Sequence, residues 1–314
     1  MKHILLLCAA LIIIAVGFTL TGVVDNQYYF FAAYIILQYI VLATAWNILG
    51  GYTGYVNFGT AAFFAMGAYT SVVLIKAYKP YFPILVLSGG LVSGLLGLGI
   101  GYLTLRLKGV YFSIATLALA VVLQTFMMNW DYVGGATGFY AIRPRHVPLF
   151  SNYVEFLFAM MLLLAVGALA VAWGIENSWI GRGLAAIRDN EEAAESMGVP
   201  TLKLKLFATT VSGVLMGMAG APFPYYVTYV EPSSAFNLDY AVNSLAMPMI
   251  GGTTSWIGPA IGAILLGTAQ QVATVTISSE LNLLIVGVVL VAFVILAPEG
   301  IVGLAQRIMK RKGV

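Results

Sequence analysis

Long apolar runs separated by short polar breaks fill the chain, and the length of the runs is that of a membrane crossing. A helix needs about 20 apolar residues to span the hydrocarbon core. Runs of this kind occupy Ile4–Val24, Tyr28–Leu49, Thr60–Ala77, Pro83–Leu105, Val110–Met128, Tyr153–Ile175, Leu204–Tyr226, Trp256–Thr276 and Leu281–Ala297. A further run, Tyr240–Ile250, is too short to cross alone, so it reads as a broken or re-entrant helix or extends back into the preceding loop. The pattern predicts an all-α, polytopic transmembrane bundle of about ten helices, one or two of them broken or re-entrant. No soluble domain interrupts it, and residues 1–314 read as a single domain whose largest polar segments are Asn129–Asn152 and Glu176–Thr201.

Composition agrees with that pattern. The chain is 61% hydrophobic and 9% charged, with a mean hydropathy of +0.95, against about 25% charged residues in soluble domains. Lipid must therefore solvate much of its surface. The 34 glycines suit close helix packing, and GxxxG spacings at Gly97/Gly101, Gly213/Gly217 and Gly258/Gly262 mark candidate helix contacts. Tyr28, Tyr29, Phe30, Phe31, Tyr225, Tyr226 and Tyr229 gather at predicted outer span ends and read as an interfacial belt.

Charge sets an orientation. With the N-terminus inside, the inner segments carry Lys2, Arg106, Lys108, Arg182, Arg188, Lys203, Lys205, Arg307, Lys310, Arg311 and Lys312, and the outer ones only Lys76, Lys79, Arg143 and Arg145. The positive-inside rule then puts both termini in the cytoplasm, with a basic tail at 306–314. The first run also has signal-peptide grammar, but no clear cleavage site precedes Asp25, and it reads as a retained helix.

Several chemistries lack support. The single cysteine, Cys8, and the two isolated histidines, His3 and His146, offer no metal-binding spacing. Ionisable residues are almost absent from span interiors, which argues against a proton-coupled antiporter and against a charged ion filter. No GxxxxGK[ST] phosphate loop occurs, so the chain is not expected to hydrolyse ATP. No nucleophile–base pair supports a membrane hydrolase. Transport driven from elsewhere and a passive pore both remain.

The inner segment Ser178–Lys205 is the most informative. Its middle, Leu184–Met197, is rich in Ala and Glu and favours a helix, which Gly198 and Pro200 stop. A short amphipathic helix held between two spans is suited to docking in a groove of a soluble partner. Glu192-Ala193-Ala194, followed after three residues by Gly198, resembles the EAA loop of ATP-binding-cassette importer permeases, and the longer string IGRGLAAIRDNEEAAESMGV resembles the branched-chain amino acid permease family. Further blocks are similar to that family in order: Asn47–Gly54, Asn57–Phe64 and Gly67–Tyr69; Gly109–Phe112 with Ala115–Ala118; Gly134–Gly138; Gly251–Gly252 with Gly258–Pro259; and Pro298–Ile301.

The resemblance implies a permease subunit that pairs with a second, homologous permease, rests in the bacterial inner membrane lipid, docks on two cytoplasmic ATPase subunits, and receives cargo from a periplasmic solute-binding protein. ATP and Mg would be used by those partners and no cofactor by this chain. Nothing points to nucleic acid. It implies an ATPase-coupling role for Arg182, Arg188, Asp189, Glu191, Glu192, Ala193, Ala194 and Gly198. Branched-chain or related amino acids are the implied cargo. Relatives commonly carry a small hydroxyl where Asn57 stands and a histidine where Thr60 stands, so urea, short amides or other small solutes stay open, as do a secondary transporter and a channel.

The stretch Gly50–Gly59 interrupts helix at membrane depth, either for close packing or to line a route with free backbone groups. Tyr52, Thr53, Asn57, Phe58, Thr60 and Asn243 are the route candidates. Asn243 and Gln124, polar within spans, read as hydrogen-bonding glue or as channel residues. Asn47–Gly59 and Pro248–Pro259 also echo one another, each ending an apolar run with two glycines and, soon after, a threonine. Chance explains that echo nearly as well as duplication.

Overall fold

In lipid, an apolar segment satisfies its backbone by bonding within itself, and the protein is accordingly helical almost throughout. The computed structural model describes residues 2–21, 26–78, 80–107, 109–143, 150, 152–276, 284, 287–288, 291–293 and 300–311. The long helices are α1 (Lys2–Thr21), α2 (Gln27–Thr53), α3 (Thr60–Ala77), α4 (Phe82–Thr104), α5 (Val110–Met128), α6 (Tyr153–Glu176) and α9 (Thr201–Gly220). Between α6 and α9 lie the polar helices α7 (Trp179–Asp189) and α8 (Glu191–Ser196). After α9 come α10 (Phe223–Val227), α11 (Pro232–Ala235), α12 (Asp239–Gly251), α13 (Gly258–Thr276) and α14 (Gly300–Arg311). A small antiparallel ladder pairs β1 (Phe139–Tyr140) with β2 (Tyr229–Val230).

Six segments among the described residues are long and apolar enough to cross a membrane: Gln27–Thr53, Thr60–Ala77, Phe82–Thr104, Val110–Met128, Tyr153–Glu176 and Thr201–Val227. This makes a multi-pass membrane protein and leaves the expected ten crossings unconfirmed. The expected span Leu281–Ala297 falls largely outside the described residues, as do Lys79, Lys108, Arg145, His146, Pro298, Glu299 and Lys312. The short run at Tyr240–Ile250 becomes α12, with 13 residues, or about 20 Å at 1.5 Å per residue. That is short of the hydrocarbon thickness.

The depth of α12 follows from its neighbours. Tyr240, in its first turn, packs 4.3 Å from Phe64 and 6.3 Å from Tyr39, ring to ring. Tyr39 lies near the middle of α2. At the other end, the turn after α12 reaches the last turn of α2, where a Cβ on Gly51 would lie 2.7 Å from the Thr253 carbonyl oxygen. The two echoing Gly-rich blocks of the sequence thus meet in space. Asn243 joins this packing: its amide donates to Tyr39 Oη at 3.2 Å and accepts from Gln270 Nε2 of α13 at 2.9 Å.

Close packing of α3, α4 and α9 forms the core seam. A Cβ on Gly67 of α3 would overlap the Gly217 backbone of α9, and one on Gly217 would lie 2.5 Å from the Gly89 carbonyl of α4. Ser93 of α4 donates to the Phe63 carbonyl of α3 at 2.8 Å in the same seam. Gly97 faces Thr209 and Thr210, and Gly213 faces Ser93, so these two GxxxG pairs pack helix on helix. Gly258 and Gly262 pack against Gly252 and Met247 in the same way.

The aromatic belt is only partly a belt. Tyr28 and Tyr29 are exposed, whereas Phe30 and Tyr225 are buried, and Tyr226 stacks on Tyr34 with centroids 4.4 Å apart. The short segments following α9 tuck these rings inward, where burial of area outweighs an interfacial position.

Gly67→Val is expected to destabilise the protein by about 3 kcal/mol, because backbone must move to admit the side chain. Gly99→Ala, where an added Cβ meets nothing within 4 Å, is expected to be neutral or to stabilise by about 0.5–1 kcal/mol. Thermal unfolding of the detergent-purified variants checks both, and equal behaviour of the two would dismiss the seam.

Candidate functional site

The polar helices α7 and α8 come from one sequence stretch that favours helix throughout, yet they form two helices instead of one. Asn190 divides them. It closes α7, and its side chain accepts the Ala193 amide at 3.0 Å as the N-cap of α8. Asparagine competes well for such a cap. Gly198 ends α8 at φ +85°, with its amide on Glu195 O at 2.9 Å and the Val199 amide on Ala194 O at 3.0 Å. A left-handed terminus of this kind favours glycine.

One face of this pair is buried and the other is open. Leu184, Ile187 and Ala194 pack inward, while Trp179, Arg182, Arg188, Asp189, Glu192, Ala193 and Met197 are exposed. Arg188 pairs with Asp189 at 3.4 Å, an exposed contact that contributes little. Arg182 and Arg188 also border a small recess with Tyr52, Glu176 and Thr254.

Glu191 points the other way, into the bundle. Its carboxylate accepts from Lys205 Nζ at 2.6 Å and from Tyr55 Oη at 2.5 Å. Lys205, near the start of α9, also donates to Tyr55 Oη at 3.1 Å and to the Leu105 carbonyl at 3.3 Å. Its side chain is 4% exposed and that of Glu191 17%. Burial, then the hydrogen bond to Glu191, pushes the Tyr55 hydroxyl above its ordinary pKa and keeps it a donor. Three elements are locked here: α8, α9 and the segment that follows α2.

A second carboxylate ties the start of the same pair. Glu176, where α6 ends before α7, accepts from Tyr52 Oη at 3.2 Å and from the Trp256 amide at 2.5 Å. It joins α6 to the last turn of α2 and to the turn between α12 and α13.

The segment after α2 is re-entrant. Gly54 caps α2 at φ +77°, and the chain then runs back along the helix it has just left. Trp46, about 10 Å up α2 from Thr53 at the helical rise, donates its indole N–H to the Asn57 carbonyl at 2.8 Å. Asn57 Oδ1 accepts the Gly59 amide at 2.7 Å. On the other side α5 supplies Ser113, which donates to Val56 O at 2.8 Å, and Thr116, which accepts the Phe58 amide at 3.1 Å.

The route candidates separate accordingly. Tyr52 belongs to the Glu176 link, and Thr53 donates back to Leu49 O at 2.6 Å within α2. Asn57 and Asn243 spend their amides inside the fold, and Thr60 is fully buried. Phe58 faces a groove shared with Leu117, Gln124 and Asn237. Tyr55, Glu176, Lys205 and Trp256 were not singled out in the sequence as site residues. A lysine one turn inside an apolar span, needing an anion nearby, was the available signal for Lys205.

Lys205→Met is expected to weaken the attachment of α8 by about 3 kcal/mol, since it leaves a poorly solvated carboxylate without its cation. Pairing it with Glu191→Leu should recover much of that loss. Hydrogen exchange over residues 190–200 in the single and double variants checks the coupling, and strictly additive effects would refute it.

The chain is similar in sequence to known transport permeases. A family model described as branched-chain amino acid transport system / permease component matches residues 28–294. The high-affinity branched-chain amino acid transport system permease protein LivM of Salmonella typhimurium is 29% identical, over 87% of this chain and 70% of that protein. Its namesake in Escherichia coli is 28% identical, over 98% of this chain and 77% of that protein. The autoinducer 2 import system permease protein LsrC of Yersinia pseudotuberculosis is 24% identical, over 84% of this chain and 76% of that protein. No solved structure matches the chain. With a family match that runs from the start of α2 past the end of α13, this chain belongs to the branched-chain amino acid transport system permease family.

Proposed function

We propose that this chain is the membrane-spanning subunit of an ATP-driven importer for branched-chain or related amino acids in the bacterial inner membrane. The observation that carries the reading is the anchoring of the α7–α8 pair at two points, by Glu176 just before α7 to α2 and by Glu191 at the junction of the two helices to Lys205 and Tyr55. A docking element needs an open face for its partner and a stiff connection to what it moves. The exposed Trp179, Glu192 and Met197 offer the first, and the two carboxylates offer the second.

In this reading both termini and the α7–α8 pair are cytoplasmic. Two ATPase subunits, using ATP and Mg, grip the exposed face of the pair below, with Arg182, Arg188, Asp189, Glu192, Ala193 and Gly198 at or near the contact and Glu191 and Ala194 securing it from within. A second, homologous permease completes the membrane part, and a periplasmic binding protein delivers cargo above. Closure of the ATPases shifts α7–α8, and the buried anchors pass that shift to α2, α9 and the re-entrant segment.

A different small cargo is the second reading. The LsrC similarity and the side chains at Asn57 and Thr60 favour it, and urea, short amides and other polar solutes fall within it.

Glu192→Lys combined with Gly198→Leu is the direct test. The leucine strains a left-handed position by about 1–2 kcal/mol, and the lysine reverses charge on the open face. Both uptake and cargo-stimulated ATP hydrolysis by the reconstituted importer are expected to fall at least about tenfold, with the chain still present in the membrane. Unchanged uptake and hydrolysis would refute the coupling role, and solute uptake by this chain alone in vesicles without nucleotide would refute the importer.

A further inference from the structure

We infer that the groove between the re-entrant segment, α5 and α11 is the cargo-facing wall of this chain. The inference rests on the importer reading above. The groove has a volume of ≈ 450 Å³ and is lined by Phe58, Leu117, Val121, Gln124, Asn237 and Leu238, among others. Ligand pockets commonly fall at about 300–1,000 Å³.

Its depth and its polarity do not suit lipid. Phe236, beside Asn237, packs against Tyr69 within α3 at 6.2 Å, and Tyr240 packs against Phe64 and Tyr39. The turn joining α11 to α12 therefore lies well below the outer ends of α2 and α3. Ser233, Asn237 and Asp239 are exposed there. Gln124 sits in α5, within a segment apolar enough to span, and its carboxamide makes no hydrogen bond among the described residues. An unpaired amide in hydrocarbon costs several kcal/mol by order of magnitude, and an exposed carboxylate costs more. Water or cargo must cover this face.

The walls define what passes. Leu117 and Val121 are exposed on the same side of α5 and offer aliphatic contact, with Phe58 across from them. Gln124 supplies one donor and one acceptor group, which suit a carboxylate and an ammonium in turn without holding either. A route that must release its cargo needs such weak, mixed contacts. Irregular backbone at membrane depth is tolerated where it lines a cavity, and here it does so from both ends of the bundle. Phe58 is also three residues beyond Tyr55, which Glu191 and Lys205 grip. Movement of α8 thereby reaches the groove through a few peptide units.

The test uses the complete importer with Cys8→Ser as background and single substitutions Leu117→Cys, Val121→Cys and Asn237→Cys. A charged, membrane-impermeant maleimide is expected to label each, and leucine with its binding protein and nucleotide to slow that labelling. Labelling by a lipid-soluble maleimide alone would assign the groove to acyl chains. No labelling, with disulfides forming between Val121→Cys and the second permease, would assign it to a helix contact. Either result overturns the inference. Gln124→Leu is expected to lower leucine uptake about tenfold at unchanged amounts of assembled complex, with Gln124→Asn closer to the parent. Equal uptake by all three would also overturn it. Uptake that persists without nucleotide would strike the importer reading alone, whereas water-excluded cysteines in a nucleotide-driven complex would strike the groove alone.

Discussion

Every backbone amide and carbonyl at membrane depth needs a partner, and this constraint governs where the protein departs from helix. Two of its departures flank the groove at Phe58: one after α2 and one between α9 and α12. After α2 the helical ladder is replaced by side chains on two sides. Trp46 covers the Asn57 carbonyl, Ser113 covers that of Val56, and Thr116 takes the Phe58 amide. The interruption is therefore fixed in position by α2 and α5, and it is held as firmly as a helix would be.

Two half-buried carboxylates tie the α7–α8 pair to that fixed region. Glu176 sits just before α7 and Glu191 at the junction of α7 and α8, and both face inward, toward tyrosines of the α2 terminus and the segment after it. A single link would let the pair swivel about one point. Two links restrict it to motions shared with the bundle. The buried Lys205 adds a third participant, so the start of α9 moves with them.

Much of the architecture was legible in the pattern of apolar runs, because length and hydropathy are one-dimensional properties. The α2 to α6 spans and α9 lie close to where the sequence put them, and the GxxxG spacings at α4 and α9 do bring those helices together. A helix over Glu192, Ala193 and Ala194, stopped at Gly198, was visible, although the division at Asn190 was not, because helix propensity over Leu184–Met197 gives no sign that a side chain will cap from within. The site was harder to read. Asn57 and Asn243 look like lining residues in a sequence because amides in spans are costly, but the structure satisfies both internally. Gln124 looks the same on paper and is left over. Only the three-dimensional arrangement of possible partners separates them. Lys205 and Glu191 are fourteen positions apart across a helix break, and no short-range spacing rule joins such a pair.

The seam of α3, α4 and α9 has a mechanical corollary. Where Gly67 and Gly217 meet, backbone lies against backbone, and two such surfaces have no flexible side chains between them to absorb sliding. These three helices form a keel that travels as one piece. Rearrangement within the bundle then falls more easily on what flanks the keel than on the keel itself. A push received at the start of α9 would cross such a spine to α3 and α4 undiminished, since nothing soft lies between them.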